Sequence, residues 1–405
     1  GVFEENDYER VKFDQIADVY IINTCTVTNQ SDSKSRKVIR QAIRRNSSAV
    51  VVVMGCYAQV SAEEIAKIEG VDIISGTKNR ENIYKLVEEV LEERKQINVV
   101  TNLNKEFDEL SVTNYSENTR AFLKIQDGCD NFCSYCIIPF ARGRVVSKSV
   151  ENVLQQAKTM VNKGYKEIVL SGIHTGKYGS DIGYSLTEIV KDISSLSGLV
   201  RLRISSIEIN EITDELLFHI RDNKVMARHL HIPLQSGSNI VLKDMNRQYS
   251  SLFFEKRLAE IREILPGISI TTDVIVGYPT ESDELFEESY NFIKNNKFSE
   301  LHVFPFSKRN GTKAALLKDL DKSIKQRRVS ALIELNDILA ENYARIFVNT
   351  KLDIIVDSTG SVSSGYTSNY LRVNISNKIA KNEHINVIIK NSGYPTNMGD
   401  ITRRG

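Results

Sequence analysis

The sequence predicts an α/β protein built from an amino-terminal open parallel α/β domain, a partial (βα)6 barrel and a small carboxyl-terminal antiparallel β-barrel. Short β-branched runs alternate with helical stretches up to about residue 315, and this alternation is typical of parallel sheets with crossover helices. Residues 350–405 change to short apolar runs separated by Ser, Gly and Asn, which favours a small barrel. The chain of 405 residues also exceeds the roughly 250–300 residues that one hydrophobic core supports.

The first domain is predicted over residues 1–105. Its strands and helices are expected at Ala17–Thr24, Ser33–Arg45, Ala49–Met54, Ala62–Glu69, Val71–Ser75 and Glu81–Arg94. Cys25 and Cys56 directly follow the first two strands. Strand carboxyl ends in an open α/β sheet border the crevice where ligands bind, so both thiols are candidate ligands. Two small buried core cysteines are the alternative interpretation of this pair.

The partial barrel is predicted over residues 119–320, after a polar linker over Thr101–Asn118. Its six strands are expected at Ala121–Ile125, Glu167–Leu170, Arg201–Ile204, His229–Pro233, Ser269–Val276 and Glu300–Phe304. Segments with the helical spacing of apolar residues, such as Val150–Lys163 and Phe253–Leu265, lie between them. A barrel of this kind carries its site at the carboxyl ends of its strands.

The carboxyl-terminal part begins with a helical connector over residues 321–349 and ends with the small barrel over residues 350–405. The strands of this small barrel are expected at Leu352–Val356, Tyr370–Ile375 and Ile385–Ile389.

Composition excludes several classes of protein. The chain has 53 basic and 52 acidic residues, a net charge of +1, so any affinity for a polyanion must come from local patches. No apolar run approaches the ~18 residues that a membrane span requires, so no membrane partner is expected. Five cysteines are too few, and odd in number, for a disulfide scaffold. A reducing compartment, the cytoplasm, is therefore expected.

Cys129, Cys133 and Cys136 carry the strongest chemical signal, a C-x3-C-x2-C spacing that directly follows a predicted strand. Thiolates are the ligands of iron–sulfur clusters, and a complete [4Fe–4S] site takes four of them. Three close cysteines without a nearby fourth leave one iron open to a ligand that is not protein. These three residues are therefore the candidate catalytic and metal-ligating residues. Structural zinc and buried core cysteines are the alternatives, but the nearest downstream histidine, His174, is far outside a zinc loop.

The C-x3-C-x2-C motif resembles the signature of the radical S-adenosylmethionine (SAM) superfamily. The wider string DGCDNFCSYCIIPFARGR, with NTC at Cys25 and GCYAQ at Cys56, resembles the methylthiotransferase branch over essentially the whole chain. The tracts SGIHTGKYG, HLHIPLQSGS and ELHVFPFSKRNGT are most similar to the subfamily that acts on N6-threonylcarbamoyladenosine at position 37 of tRNA. The resemblance implies a radical SAM barrel followed by an RNA-binding barrel of the TRAM type.

The resemblance also implies the reaction and its cofactors. A methylthio group would be added to C2 of the modified adenine, giving 2-methylthio-N6-threonylcarbamoyladenosine in the anticodon stem-loop. A [4Fe–4S] cluster on the three loop cysteines would bind SAM, and flavodoxin or ferredoxin would donate electrons. A second, auxiliary [4Fe–4S] cluster would use Cys25, Cys56 and a third cysteine that this chain does not contain. Because Val2–Tyr8 resembles the tail of a helix, we expect the missing cysteine to belong to an absent first strand.

Several residues are expected to contact SAM by analogy with the superfamily. Tyr135 precedes the last loop cysteine, where an aromatic residue lies near the adenine, and Gly172 follows the second barrel strand, where backbone holds the amino group. Further candidates for the SAM carboxylate or ribose are Ser205, Glu208, Gln235, Ser236 and Asp273. The alternative for each is a polar group that caps a helix or turn. His174 is expected either in the substrate pocket or in a structural role, and His231 in the barrel core.

Clusters of basic residues are candidate phosphate contacts. Ser33–Arg45 carries six basic residues and no acid, with Val38, Ala42 and Ile39 or Ile43 expected inward. The candidates are Lys34, Arg36, Lys37, Arg40, Arg44, Arg45, Arg142, Arg144, Lys148, Lys308, Arg309 and Lys313. In the last domain Tyr366, Tyr370 and Arg372 are candidates for contact with unpaired bases. A solvated charged face is the alternative for each group.

Two other substrates and one non-enzymatic function remain open from the sequence. The same reaction is possible on N6-isopentenyladenosine at position 37 of tRNA or on an aspartate of a ribosomal protein. A protein that only carries electrons on an iron–sulfur cluster, or only binds RNA as a scaffold, would not cleave SAM.

Overall fold

The structure is a computed structural model, and it describes residues 2–103, 106–108 and 119–402. The chain divides into two compact units. Unit 1 consists of Gly1–Tyr115, Asp127–Val146 and Ser307–Leu317, and unit 2 consists of Ser116–Gln126, Ser147–Phe306 and Lys318–Gly405. Two segments predicted within the barrel domain, Asp127–Val146 and Ser307–Leu317, thus belong to unit 1. Most of the predicted linker over Thr101–Asn118 lies outside the described residues.

Unit 1 contains the predicted open parallel sheet. Its strands, in spatial order, are β1 (Val19–Thr24), β2 (Val50–Gly55), β3 (Ile73–Ile74) and β4 (Ile97–Asn98), and all neighbours pair in parallel. Its helices are α1 (Asn29–Arg45), α2 (Cys56–Val60), α3 (Ala62–Ala66), α4 (Ile83–Glu93) and α5 (Ile138–Arg142). The expected helix tail at Val2–Tyr8 is only a short 3-10 turn over Glu4–Asn6.

Helices cover both faces of this sheet. Tyr20, Ile22, Val51 and Val53 pack with Ile39 and Ala42 of α1 on one face. Val50 and Val52 pack with residues of α4 on the other. Both faces of β2 are therefore buried, which explains its unbroken apolar sequence.

Unit 2 contains the predicted partial barrel. Two three-stranded parallel sheets are formed by β5 (Arg120–Lys124), β8 (Glu167–Ser171) and β9 (Arg201–Ile204), and by β10 (His229–His231), β11 (Ser269–Val276) and β12 (Glu300–Pro305). A parallel bridge between Ser206 and His231 joins the two sheets, which completes the six-stranded partial barrel. The short strands β6 (Gln126–Asp127) and β7 (Val146–Ser147) lie where the chain passes between units.

Five of the seven α-helices that the structure describes in unit 2 begin at a hydroxyl side chain that caps them. The seven helices are α6 (Val150–Asn162), α7 (Leu186–Ser194), α8 (Asp214–Asp222), α9 (Asn239–Asp244), α10 (Ser251–Ile264), α11 (Asp283–Asn296) and α12 (Lys322–Arg345). Ser149, Ser185, Thr213, Ser250 and Ser282 each accept a hydrogen bond from the first turn of the helix that follows. Such caps satisfy amide groups that otherwise lack an intrahelical partner.

The chain ends in a closed five-stranded barrel. Its strands are β13 (Lys351–Ser358), β14 (Ser363–Thr367), β15 (Arg372–Ile375), β16 (His384–Asn391) and β17 (Asn397–Ile401), in the spatial order 13-14-15-17-16. The core consists of alternating Ile and Val side chains from β13, β15 and β16. The sequence did not predict β14 and β17, because SSGYT and NMGDI lack that alternation. Within the described residues, no helix is both long and apolar enough to span a bilayer.

Candidate functional site

Cys129, Cys133 and Cys136 lie half-buried on a loop of unit 1 that leads into α5. The Cys129 N–H donates to the Gly143 carbonyl at 3.0 Å, and the Cys136 N–H donates to the Cys133 carbonyl at 2.9 Å. The Asn131 N–H points at Cys129 Sγ at 3.5 Å, a contact that stabilises a thiolate. Three thiols on one hydrogen-bonded loop fit the three protein ligands of an iron–sulfur cluster.

A glycine allows this loop to return closely on itself. Gly128 has φ +73°, and a Cβ added there would lie 1.8 Å from the carbonyl oxygen of Arg144. The loop is also held from outside, because the Ala314 N–H donates to the Ser134 carbonyl at 2.8 Å. The cysteine loop is therefore fixed by backbone contacts, and an alanine at Gly128 would displace it.

Cys25 and Cys56 follow the carboxyl ends of β1 and β2, as the sequence predicts. The last paired residues of these strands are Thr24 and Gly55, so the two cysteines continue from the same register position. Gly55 has φ +102°, and a Cβ there would lie 2.5 Å from the Thr24 carbonyl oxygen. Cys56 is buried, whereas Cys25 is exposed. The motifs NTC and GCYAQ thus encode one strand-end arrangement.

Arg142, at the end of α5, contacts Cys56 of this second pair of cysteines. Its Nε donates to Cys56 Sγ at 3.1 Å, and its Nη1 lies 3.5 Å from Asp127 Oδ2. Burial raises the pKa of the Cys56 thiol, and the guanidinium opposes that rise. Arg142 was predicted as a phosphate contact, and that prediction is wrong, since its charge is used inside unit 1.

Some predicted SAM contacts at the barrel strand ends lie together around Thr175. A Cβ on Gly172 would lie 2.9 Å from Gln126 Oε1 and 3.1 Å from Thr175 Oγ1, so no side chain fits there. Ser205 Oγ lies 3.2 Å from the same threonine hydroxyl. Sequence reasoning missed Thr175, although it belongs to the SGIHTG tract.

The remaining predicted barrel residues lie at other strand ends. Gln235 has φ +67°, and its N–H donates to the Asp273 carbonyl at 2.8 Å. Ser236 is fully buried, and its hydroxyl accepts from the Ser238 N–H at 3.2 Å. In the cysteine loop of unit 1, Tyr135 is half-buried.

Two acid–base pairs near the barrel strand ends were not predicted. Glu208 forms an ion pair with Arg247, which opposes the rise in the Glu208 pKa caused by burial. His174 Nε2 lies 2.7 Å from Glu211 Oε1. Both Arg247 and Glu211 belong to segments without a recognisable motif, so only the fold identifies them.

His231 and Asp273 form a three-membered cluster with His302, which the sequence did not single out. His231 Nε2 lies 3.2 Å from Asp273 Oδ2, and His302 Nδ1 lies 3.2 Å from Asp273 Oδ1. Burial would raise the pKa of Asp273, but the hydrogen bonds from the two imidazoles dominate and hold it well below its usual range. His231 is therefore part of a polar cluster instead of a simple core residue.

The basic residues predicted to bind RNA divide into exposed and buried groups. On α1, Ile39 and Ala42 are buried as expected, and the exposed cations are Lys34, Lys37, Arg40 and Arg44. Arg36 instead donates to the Tyr57 hydroxyl at 2.9 Å, and Arg45 donates to the Phe13 carbonyl.

Two further predictions of phosphate contact are wrong. Arg309 is buried, with Nη2 2.6 Å from Asp32 Oδ2 and 2.6 Å from Thr26 Oγ1. Lys148 is buried and donates to Gln156 Oε1 at 2.8 Å. Lys308, Lys313 and Arg144 remain exposed.

Tyr366, Tyr370 and Arg372 are engaged within unit 2. Tyr370 stacks on His229 with a ring separation of 4.5 Å. Tyr366 stacks on Tyr370 at 4.8 Å and also lies under the Arg372 guanidinium. Arg372 forms a two-pronged ion pair with Asp357. These internal contacts argue against the predicted contact with unpaired bases.

Two family models match this chain, one in its amino-terminal part and one in the barrel. The model of the Radical SAM superfamily matches residues 123–293, and that of "Uncharacterized protein family UPF0004" matches residues 1–76. The chain is 48% identical to the threonylcarbamoyladenosine tRNA methylthiotransferase MtaB of Bacillus subtilis (strain 168), over 99% of this chain and 92% of that protein. It is 44% identical to the protein of the same name from Aquifex aeolicus (strain VF5), over 82% of each chain.

Some of the more distant relatives carry a different name. The chain is 32% identical to the tRNA-2-methylthio-N(6)-dimethylallyladenosine synthase of Protochlamydia amoebophila (strain UWE25), over 88% of this chain and 81% of that protein. Among solved structures it resembles the radical S-adenosylmethionine methyltransferase TsrM from Kitasatospora setae, with a TM-score of 0.54 and 13% identity. That likeness covers 72% of this chain and 64% of TsrM, and it supports the fold alone.

Proposed function

The chain belongs to the family of threonylcarbamoyladenosine tRNA methylthiotransferases, and we propose that it adds a methylthio group to C2 of N6-threonylcarbamoyladenosine at position 37 of tRNA. The observation that carries this proposal is the cysteine loop, in which Cys129, Cys133 and Cys136 share one hydrogen-bonded turn of chain. The threonylcarbamoyl substrate is favoured over dimethylallyladenosine because identity is 48% to the first kind of relative and 32% to the second.

The three loop cysteines would hold a [4Fe–4S] cluster, with SAM at the iron that lacks a protein ligand. When bound, the cluster and SAM together would supply one-electron chemistry. Such chemistry activates an aromatic C–H bond that is too weakly acidic for side-chain bases. The chain itself fixes the ligands, since Gly128 lets the loop close and the Asn131 N–H supports the Cys129 sulfur. Tyr135, on the same loop, is the proposed contact of the SAM adenine.

In the barrel, Gly172 is the proposed contact of the SAM amino group. A Cβ at this position would crowd the side chains of Gln126 and Thr175, which favours glycine there. The proposed contacts of the SAM carboxylate and ribose are Ser205, Glu208, Gln235 and Ser236. Glu208 is held in place by Arg247, so its carboxylate has a fixed orientation. Asp273 was also predicted to contact SAM, but both of its oxygens already face imidazoles.

Cys25 and Cys56 would supply two ligands of an auxiliary [4Fe–4S] cluster. Their strand-end positions and the Arg142 hydrogen bond to Cys56 support this assignment, since a cationic donor stabilises a thiolate. The other three cysteines of this sequence are the loop cysteines, so Cys25 and Cys56 would be the two ligands that this sequence supplies. A flavodoxin or ferredoxin would supply electrons, and the cytoplasm is the proposed location.

The exposed cations of α1 are the proposed contacts of the tRNA phosphates. Lys34, Lys37, Arg40 and Arg44 form a basic helix surface, and the one acid of α1, Asp32, pairs with Arg309. Phosphate contacts of this kind give an affinity that falls steeply with salt.

The decisive experiment is mass spectrometry of tRNA nucleosides from cells that lack the gene, with and without the cloned gene. We expect 2-methylthio-N6-threonylcarbamoyladenosine to disappear in the knockout and return on complementation. An unchanged level of this nucleoside, or loss of the dimethylallyl product instead, would contradict the proposal. Formation of 5′-deoxyadenosine from SAM by the reduced, cluster-loaded protein separates an enzyme from a cluster carrier or an RNA scaffold.

A further inference from the structure

The side chains of His231, Asp273 and His302 lie on three neighbouring parallel strands, β10, β11 and β12. His231 pairs with Thr271, and Asp273 pairs directly with His302. Paired residues of parallel strands point to the same face, and residues two apart on one strand do so too. The three side chains therefore share one face of the sheet. Their positions are set by strand backbone, which places ligands more accurately than a loop does.

The distances between these groups are those of a metal site. One ligand atom from each side chain lies within 4.8 Å of the others, and both imidazole–carboxylate contacts measure 3.2 Å. Neighbouring ligands of one ion with bonds of about 2.1 Å are separated by about 3 to 3.4 Å. Only small movements are therefore needed for the three atoms to share a cation.

A neighbouring hydroxyl orients the first imidazole. His231 Nδ1 hydrogen-bonds with Thr271 Oγ1 at 2.8 Å, which leaves Nε2 facing the carboxylate. Metal-bound histidines usually hold their second nitrogen in this way, and the contact fixes the ring. The opposite face of β11 is apolar and tightly packed, with Ile270 and Val274 both 1% exposed.

Charge and access also favour a cation. The His231 and His302 rings stack with centroids 5.2 Å apart, so two imidazolium charges there would repel each other. One divalent ion instead satisfies two neutral imidazoles and one carboxylate. The His302 side chain is 44% exposed, which leaves a path for an ion from solvent.

We propose that His231, Asp273 and His302 bind a divalent transition-metal cation, with open coordination positions on the solvent side. Two histidines and one carboxylate on one side of an ion are typical of Fe2+ and related metals. This site would be separate in ligand chemistry from the cysteine sites, and it adds a metal to those of the proposed function.

The test is a titration of the full, cluster-free chain with Mn2+ under reducing, anaerobic conditions, followed by electron paramagnetic resonance of the free ion. Mn2+ suits nitrogen and oxygen ligands better than thiolates, so the five cysteines compete weakly. We expect one equivalent to bind and electron spin-echo spectra to show coupling to imidazole nitrogen. His302→Ala and Asp273→Asn should each lower the affinity at least tenfold and reduce or remove that coupling.

The matched control is His219→Ala, because His219 also lies in unit 2 and its ring hydrogen-bonds to the side chains of Ser194 and Asn223, which do not belong to the cluster. It should leave Mn2+ binding unchanged. Circular dichroism melting curves show whether each variant is folded, and the largely exposed His302 makes unfolding of His302→Ala unexpected. Absence of binding by the folded wild-type chain, or equal binding by His302→Ala and Asp273→Asn, would overturn the proposal. Neither result depends on SAM cleavage, so failure here leaves the methylthiotransferase assignment intact.

Discussion

All five cysteines of the chain belong to unit 1, whereas all six histidines belong to unit 2. Soft thiolates select iron–sulfur clusters, and imidazole with carboxylate selects single transition-metal ions. The two units therefore differ in the metal chemistry that their side chains support. This separation means that a substitution in one unit should change one kind of metal binding and leave the other unaffected.

The largest expected effect is that of Cys133→Ala in unit 1. Loss of one of three loop thiolates should lower formation of 5′-deoxyadenosine from SAM by at least about a hundredfold, because the loop has no fourth cysteine to replace it. Binding of tRNA and of Mn2+ should persist. The measurements are product analysis by liquid chromatography and filter binding of tRNA.

The matched control for this change is Cys25→Ala, which alters the other cysteine group of the same unit. It should retain SAM cleavage but lose methylthio transfer. If Cys133→Ala cleaves SAM at the wild-type rate, the assignment of the loop cysteines is refuted.

The next effect concerns the buried ion pair between Arg309 and Asp32. Arg309→Met leaves a buried carboxylate without its partner, which costs about 3–5 kcal/mol of unfolding free energy. Lys308→Met, at the exposed neighbouring position, should change the free energy of unfolding by less than about 0.5 kcal/mol. Urea unfolding followed by circular dichroism provides the values. Equal effects of the two substitutions would show that the pair contributes no more than a surface charge.

Backbone strain separates two glycines with similar φ, one in each unit. Gly128→Ala places a Cβ 1.8 Å from a carbonyl oxygen. We therefore expect the free energy of unfolding to fall by about 3 kcal/mol and the iron content after reconstitution to be lower. Gly164→Ala has no atom within 4 Å of its Cβ and should cost only the strain of positive φ, about 1 to 2 kcal/mol. Normal iron loading of Gly128→Ala would mean that the loop tolerates the displacement.

Sequence reasoning identified what depends on local patterns. The spacing of Cys129, Cys133 and Cys136 is visible within a few residues. The apolar runs of β2 and β11 are visible in the same way, and the structure confirms both as strands. The errors concern partners far away in the chain. Arg309 was predicted to contact RNA because its partner Asp32 lies 277 residues away. Asp32 also falls just outside the basic segment Ser33–Arg45.

The same limit explains the missed members of the barrel cluster. His302 became relevant only when the parallel register of β11 and β12 placed it beside Asp273. Arg142 likewise acquires its role from a contact with Cys56, 86 residues earlier. Such contacts follow from strand order and helix packing, which a single sequence does not specify.

The smallest expected effect is a pH dependence of the free energy of unfolding that arises from His229 in unit 2. Burial and the neighbouring Arg203 guanidinium hold the pKa of His229 well below its usual range, so the unfolded chain binds a proton more readily than the folded one. The contribution of His229 to the stability of the folded state is thus complete above its ordinary pKa. This contribution is lost as the pH falls toward the lower pKa of the folded state. Below the ordinary pKa the loss approaches about 1.4 kcal/mol per pH unit. His229→Gln should therefore have an unfolding free energy less dependent on pH between 7.5 and 5.5 than the wild type. A difference between the two proteins that stays constant over this range would show that the folded state accommodates the imidazolium.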